Sequence, residues 1–166
     1  METNTEIAPA GAGVIENHYA RPVLAAVDLQ PGSDKLILWA CEHAQSLNAP
    51  VVILHIVHDP AASLGFYSNS PHAEKPLEPM EIVAERMMTS LLDDLKAGHP
   101  DLPPLLEANT HLETGIPKTR IGEIAEKLNA RLLVIGRPKQ NGMKNFLKSS
   151  ISGHLEKKAN VPIVVL

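Results

Sequence analysis

Asp28 follows a short apolar run, Val23-Leu24-Ala25-Ala26-Val27, and Gly136 follows another, Leu132-Leu133-Val134-Ile135. Runs this short and uniformly apolar suit strands buried on both faces of a parallel sheet. In open α/β sheets, ligands bind beyond the carboxyl ends of the strands, where the winding reverses. An aspartate there can accept from a sugar hydroxyl or a base amine, or help hold a metal. A glycine there lets backbone approach a ligand closely. The same aspartate is also an ordinary turn former, so the pair has a chemical reading and a folding one.

The charge distribution favours an anion. From Leu132 to Leu155 there is no acid, yet Arg137, Lys139, Lys144 and Lys148 fall within it. Ser149 and Ser150 then precede an apolar pattern, Ile151 and Leu155, that reads as a helix over 150–159 with both residues inward. The free N–H groups of such a helix start favour phosphate. If the two strands are neighbours, Asp28, Gly136 and that helix start share one crevice. A solvated basic loop is the plainer alternative.

Other chemistries find less support. No GxxxxGKS/T loop is present, which excludes a P-loop nucleotidase, and no GxGxxG follows the first strand. GxSxG is absent, and no general base or water-positioning pair is evident, so at most slow ATP hydrolysis is expected, ranked last among the readings. His55 and His58 lie at odd separation, on opposite faces of a strand, and the chain has no zinc-ligand spacing. No metal site is expected. Cys41 lies beside Trp39 in an apolar helix and reads as buried. His111 reads as solvated.

The elements that must position these residues alternate. The 166 residues are 44% hydrophobic, 20% charged and only 3% aromatic, so one domain with an aliphatic core is expected. Residues 1–20 lack periodicity and read as a mobile tail; the domain spans 21–166. A helix starts near Ser33, which can cap it, and carries Leu36, Trp39, Ala40, His43, Ala44 and Leu47 at helical spacing. The second strand is Val51 to Val57. The aperiodic stretch 58–79 contains Phe66 and Tyr67; a packed surface loop is the plainer reading, a lid or partner contact the other.

Met80, Val83, Met87, Leu91 and Leu95 predict a second helix. The alternation from Leu106 to Leu112 predicts an edge or half-exposed strand, and Gly115-Ile116-Pro117 a turn into a helix capped by Thr119, with Ile121, Ile124, Ala125 and Leu128 inward. The last strand is 161–166, and Pro162 argues for an edge. Leu47-Asn48-Ala49 and Leu128-Asn129-Ala130 read as two helix ends with one capping solution. The β-α alternation means a doubly wound parallel α/β sheet with right-handed crossovers. A single cysteine, a net charge of −4, no apolar run near membrane length and no basic leader predict a cytoplasmic protein without nucleic-acid binding or membrane insertion.

From Arg21 to Leu166 the chain resembles the universal stress protein family. The likeness rests on the first strand entering Asp28, the second strand with Leu54-His55-Ile56-Val57, Gly115-Ile116-Pro117 before a helix, and the segment 132–166. The nucleotide-binding branch of that family has a glycine after the fourth strand, a second three positions on, and later Gly-Ser with an apolar residue. Gly136, Gly142, Ser150 and Ile151 fit this loop, while Lys139 and Ser149 replace two of its glycines.

The resemblance implies a Rossmann-like five-stranded sheet in the order 3-2-1-4-5 and a regulatory dimer paired through the C-terminal strand. It also implies ATP or AMP as ligand, with Mg only if ATP is bound. Asp28 and the backbone near Ala26 and Ile56 would face adenine and ribose, and Gly115 and Gly136 would line the ribose and phosphate path. Lys139, Ser149, Ser150 and Ile151 would surround the phosphates. The output would be a contact with an unknown regulatory protein. The replaced glycines leave the family's non-nucleotide interaction module as the alternative.

Overall fold

A computed structural model describes residues 21–58, 79–137 and 151–166. The apolar runs become strands: β1 (Val23–Ala26), β2 (Val51–Val57) and β4 (Leu132–Ile135), joined by β3 (Asn109–Thr114) and β5 (Ile163–Val165). All pair in parallel, in the order β3-β2-β1-β4-β5. Between them run α1 (Ser33–Leu47), α2 (Met80–Gly98), a short α3 (Pro103–Leu106), α4 (Pro117–Lys127) and α5 (Ile151–Lys158). The expected doubly wound sheet is therefore present.

Burial explains why the central strands lack polar alternation. Val23, Ala25, Ile53 and Val134 pack on one face against Ile37 and Ala40 of α1 and Met88 and Leu92 of α2. Leu24, Leu54, Leu133 and Ile135 pack on the other against Ile121 and Ile124 of α4 and Leu155 of α5. Each Val, Leu, Ile or Met side chain among these stabilises the fold by about 1.5–3 kcal/mol before the ordering entropy is subtracted.

The two Asn-Ala helix ends are one motif. Asn48 and Asn129 take φ of 48° and 47°. Their N–H groups donate to Gln45 and Glu126, while Ala49 and Ala130 donate to the Ala44 and Ala125 carbonyls, closing both helices in the same left-handed way. Arg131 adds a further tie, its guanidinium donating to the Leu47 carbonyl at 2.9 Å at the end of α1.

Several expectations shift. The stripe of α2 is rotated by one residue: Ala84, Met88, Leu92 and Leu95 are buried, whereas Met80 and Met87 are exposed. The doublets Met87-Met88 and Leu91-Leu92 offer two adjacent apolar stripes, and sheet packing selects one. In α1, Ile37 and Cys41 point inward, while His43 is exposed and stacks on Trp39 with ring centroids 3.5 Å apart. Leu106 belongs to α3, because Pro103 and Pro104 start a helical turn, so the third strand begins at Asn109. Pro117, not Thr119, opens α4. Ile151 is exposed although Leu155 is buried. The last strand covers 163–165 instead of 161–166. The tail 1–20 and nearly all of 58–79 lie outside the described residues.

Candidate functional site

The winding reverses between β1 and β4. From β1 the chain moves outward through β2 to β3, then returns to the other side of β1. Ala26 pairs with Ile135, so Asp28 and Gly136 follow the carboxyl ends of adjacent strands in register. This is where doubly wound sheets bind ligands. Since α5 must return to the opposite edge before the parallel β5, its N-terminus lies at this same carboxyl edge.

Asp28 is exposed, and its Oδ1 accepts from the Gln30 N–H at 3.0 Å and the Ser33 hydroxyl at 3.1 Å. The folding role is therefore real: the carboxylate organises the turn into α1. Gly32, with φ 109°, occupies the N-cap position given above to Ser33; buried Ser33 instead uses its hydroxyl on Asp28. Asp28 Oδ2 has no hydrogen bond among the described residues.

Gly115 and Gly136 are glycines for different reasons. At Gly115, φ is 151° and a Cβ would lie 2.8 Å from Arg120 Cγ, so the fold itself demands glycine. Gly136 has no positive φ, and its Cβ would meet Leu36 Cδ1 at an ordinary 3.6 Å. Folding makes no such demand there. Arg137 follows it, exposed, with its N–H held by the Leu166 carbonyl at 2.7 Å.

Histidines hold the neighbouring strand ends. The partly buried His55 donates from Nδ1 to the Val27 carbonyl at 2.9 Å, directly before Asp28. His58 donates from Nδ1 to the Gly115 carbonyl at 3.3 Å. The carbonyls only accept, so both Nδ1 atoms carry hydrogen. Ala26 and Ile56 are buried with backbone near this edge. Sequence reasoning missed the links of Ser33 and His55, and mentioned Arg137 only within a basic stretch. The Pro31-Gly32 turn between Asp28 and Ser33 was the available signal for the first.

Lys139, Gly142, Ser149 and Ser150 lie outside the described residues; Ile151 opens α5. Two surface hollows among the described residues border α2, and neither includes Asp28 or Gly136. Topology and register define the strand-end site. Among the described residues no three metal-ligating side chains gather. No described helix is long and apolar enough to cross a membrane.

A second polar cluster borders Gly115. His111, on the edge strand, is paired and not merely solvated: its Nε2 meets Glu113 Oε2 at 2.9 Å. Arg120 donates to both Glu113 and Glu123. Burial pushes the Glu113 carboxyl up, but hydrogen bonds from Arg120 and His111, with their charges, outweigh it and hold it below its ordinary range.

The model of the universal stress protein family matches residues 20–166. The chain is similar to universal stress protein A homolog 1 of Coxiella burnetii, at 32% identity over 133 residues, covering 80% of this chain and 85% of that one. Its fold resembles that of a universal stress protein solved in complex with cAMP, with TM-score 0.62, 16% identity, and coverage of 89% of this chain and 97% of that chain. It likewise resembles the universal stress protein of Archaeoglobus fulgidus in complex with dAMP, with TM-score 0.59, 19% identity, and coverage of 89% and 98%.

Proposed function

Because the chain belongs to the universal stress protein family, we propose that it is a regulatory protein of the stress response that binds adenine nucleotide at the β1–β4 switch point. The observation that carries this reading is the register Ala26↔Ile135, which makes β1 and β4 neighbours, with Asp28 two residues and Gly136 one residue beyond their carboxyl ends. Asp28, with the backbone of Ala26 and Ile56, would receive adenine and ribose. Gly115 and Gly136 would line the path to the phosphates, and Lys139, Ser149, Ser150 and Ile151 would surround them. Ligand-bound relatives of the same fold, with cAMP in one and dAMP in the other, support an adenine nucleotide as the class. ATP or AMP is the proposed ligand, with Mg accompanying only ATP.

The residues fit a phosphate-bearing ligand. Gly136 is bare where folding asks for no glycine, and Arg137 adds positive charge beside it. We assign no catalytic group: the output is a contact changed by occupancy in a cytoplasmic homodimer paired through 161–166. That strand is an apolar edge, partly exposed, and pairing it with a twofold mate would remove an aggregation hazard. The domain so proposed is 21–166, preceded by the tail 1–20.

One observation favours the second reading, an interaction module without nucleotide: Asp28 Oδ1 is already engaged by Gln30 and Ser33. Native mass spectrometry of the purified full chain, with calorimetry against ATP, AMP and cyclic nucleotides, separates the two. Saturable binding supports the site; none at millimolar nucleotide selects the module. Sedimentation of Leu166→Asp tests the dimer, which should weaken.

A further inference from the structure

The far edge of the sheet carries a surface outside the proposed nucleotide site. β3 is an edge strand, paired without a bulge over its full length with Val52–Val57 of β2. The Gly115 N–H donates to the Val57 carbonyl at 3.0 Å. Main-chain groups along a strand alternate in direction, so Asn109, His111 and Glu113 turn theirs toward β2. Those of Thr110, Leu112 and Thr114 face outward, and none is bonded on that side among the described residues.

The two flanks of this edge differ. On the α2 side, Ala108, Thr110 and Leu112 border a hollow of about 250 Å³ over Met88 and Leu92, rimmed by Glu85, Asp93 and Lys96. On the α4 side, the carboxylates of Glu113 and Glu123 share the guanidinium of Arg120, and the His111 ring meets the other oxygen of Glu113. Glu107, exposed at the entrance to the strand, adds a third carboxylate.

We infer that the outer edge of β3 is a strand-addition site for an extended partner segment whose side chains alternate between apolar and basic. Main-chain bonds to Thr110, Leu112 and Thr114 would give the pairing. Apolar side chains would fall over the hollow beside α2, and lysines or arginines over Glu113 and Glu123. A second copy of β3 would bring Glu107, Glu113 and Glu123 against their own kind, so charge selects a basic partner over self-pairing. The inference stands apart from the nucleotide reading, since it uses neither Asp28 nor Gly136.

The test titrates the full chain with an acetylated, amidated octapeptide of alternating lysine and valine, read by NMR and amide hydrogen exchange. The amides of Thr110, Leu112 and Thr114 should gain protection at least about tenfold, while a glutamate–valine peptide should bind at least about tenfold more weakly. Thr110→Pro removes an outward N–H without touching a bond to β2, and should weaken binding by a similar factor with an unchanged circular dichroism spectrum. Two peptides N-methylated at every lysine or at every valine keep all side chains and test the wild-type chain directly; one of them should lose affinity. No binding at millimolar peptide, protection elsewhere than β3, or undiminished binding of both methylated peptides would overturn the proposal.

Discussion

Replacing Gly115 with alanine should damage the fold through two separable terms. The backbone there has φ of 151°, a region close to glycine-only, which costs an alanine about 2 kcal/mol. The new Cβ would also stand 2.8 Å from Arg120 Cγ. That stem cannot swing away freely, because its guanidinium is held by Glu113 and Glu123. Displacing it adds about 1 kcal/mol by analogy with modest overpacking. The sum, about 3 kcal/mol, is a large share of the roughly 5–15 kcal/mol available to a domain.

Urea unfolding at neutral pH reads this directly. With a slope of about 2 kcal/mol per molar, the midpoint should fall by about 1.5 M. Repeating the substitution in an Arg120→Ala background completes a double-mutant cycle. There the steric part should vanish and the backbone part of about 2 kcal/mol remain. A loss below about 0.5 kcal/mol in the wild-type background would refute the strained-backbone argument, since surface changes without such features fall in that range. A loss unchanged by removing Arg120 would refute the steric one.

Cys41 is fully buried, and burial, with the nearby charge of Glu42, pushes its thiol up to about 12. Its reaction with a thiol reagent should therefore follow the unfolding rate; rapid labelling of the native protein would contradict this. The Glu113 carboxyl is held below its ordinary value of 4.5, so it binds protons more readily in the unfolded chain. Its stabilisation is complete above that value and is lost as pH falls through the lower, folded one. Glu113→Gln should flatten the acid limb of a stability–pH curve, and an unaltered limb would count against the cluster. Asn48→Ala and Asn129→Ala should each cost about 1 kcal/mol, because alanine lacks asparagine's tolerance of the left-handed region. Thermal unfolding that shows only one of them to matter would break their equivalence.

The strands buried on both faces were legible because uniform Val, Ile and Leu runs have few other uses, and the edge position of β3 followed from its alternation with Glu107, Asn109 and His111. Pro162 marked the other edge. What stayed hidden was rotation about helix axes: where Met87-Met88 or Leu91-Leu92 present adjacent apolar residues, only the sheet decides which faces inward. Prolines 103 and 104, which begin a helical turn, hid α3 and shifted the third strand. At the site, the residues at strand ends were readable from position alone. The partners of Asp28 and His55 were not, because they depend on the path of a turn and on a neighbouring strand. Lys139, Ser149 and Ser150 lie outside the described residues, so their roles rest on the family resemblance alone.

The claim that nucleotide meets the chain at the β1–β4 switch point is tested most directly by an NMR titration of the full chain with AMP, in the wild type and in Gly136→Ala. Alanine fits at position 136 without strain, so its stability should stay within about 0.5 kcal/mol of wild type. In the wild type, amide shifts should concentrate at residues 26–29, 136 and 137, and the alanine variant should need more AMP for the same change. Shifts confined to α2 and β3, or identical titrations of both proteins, would contradict it.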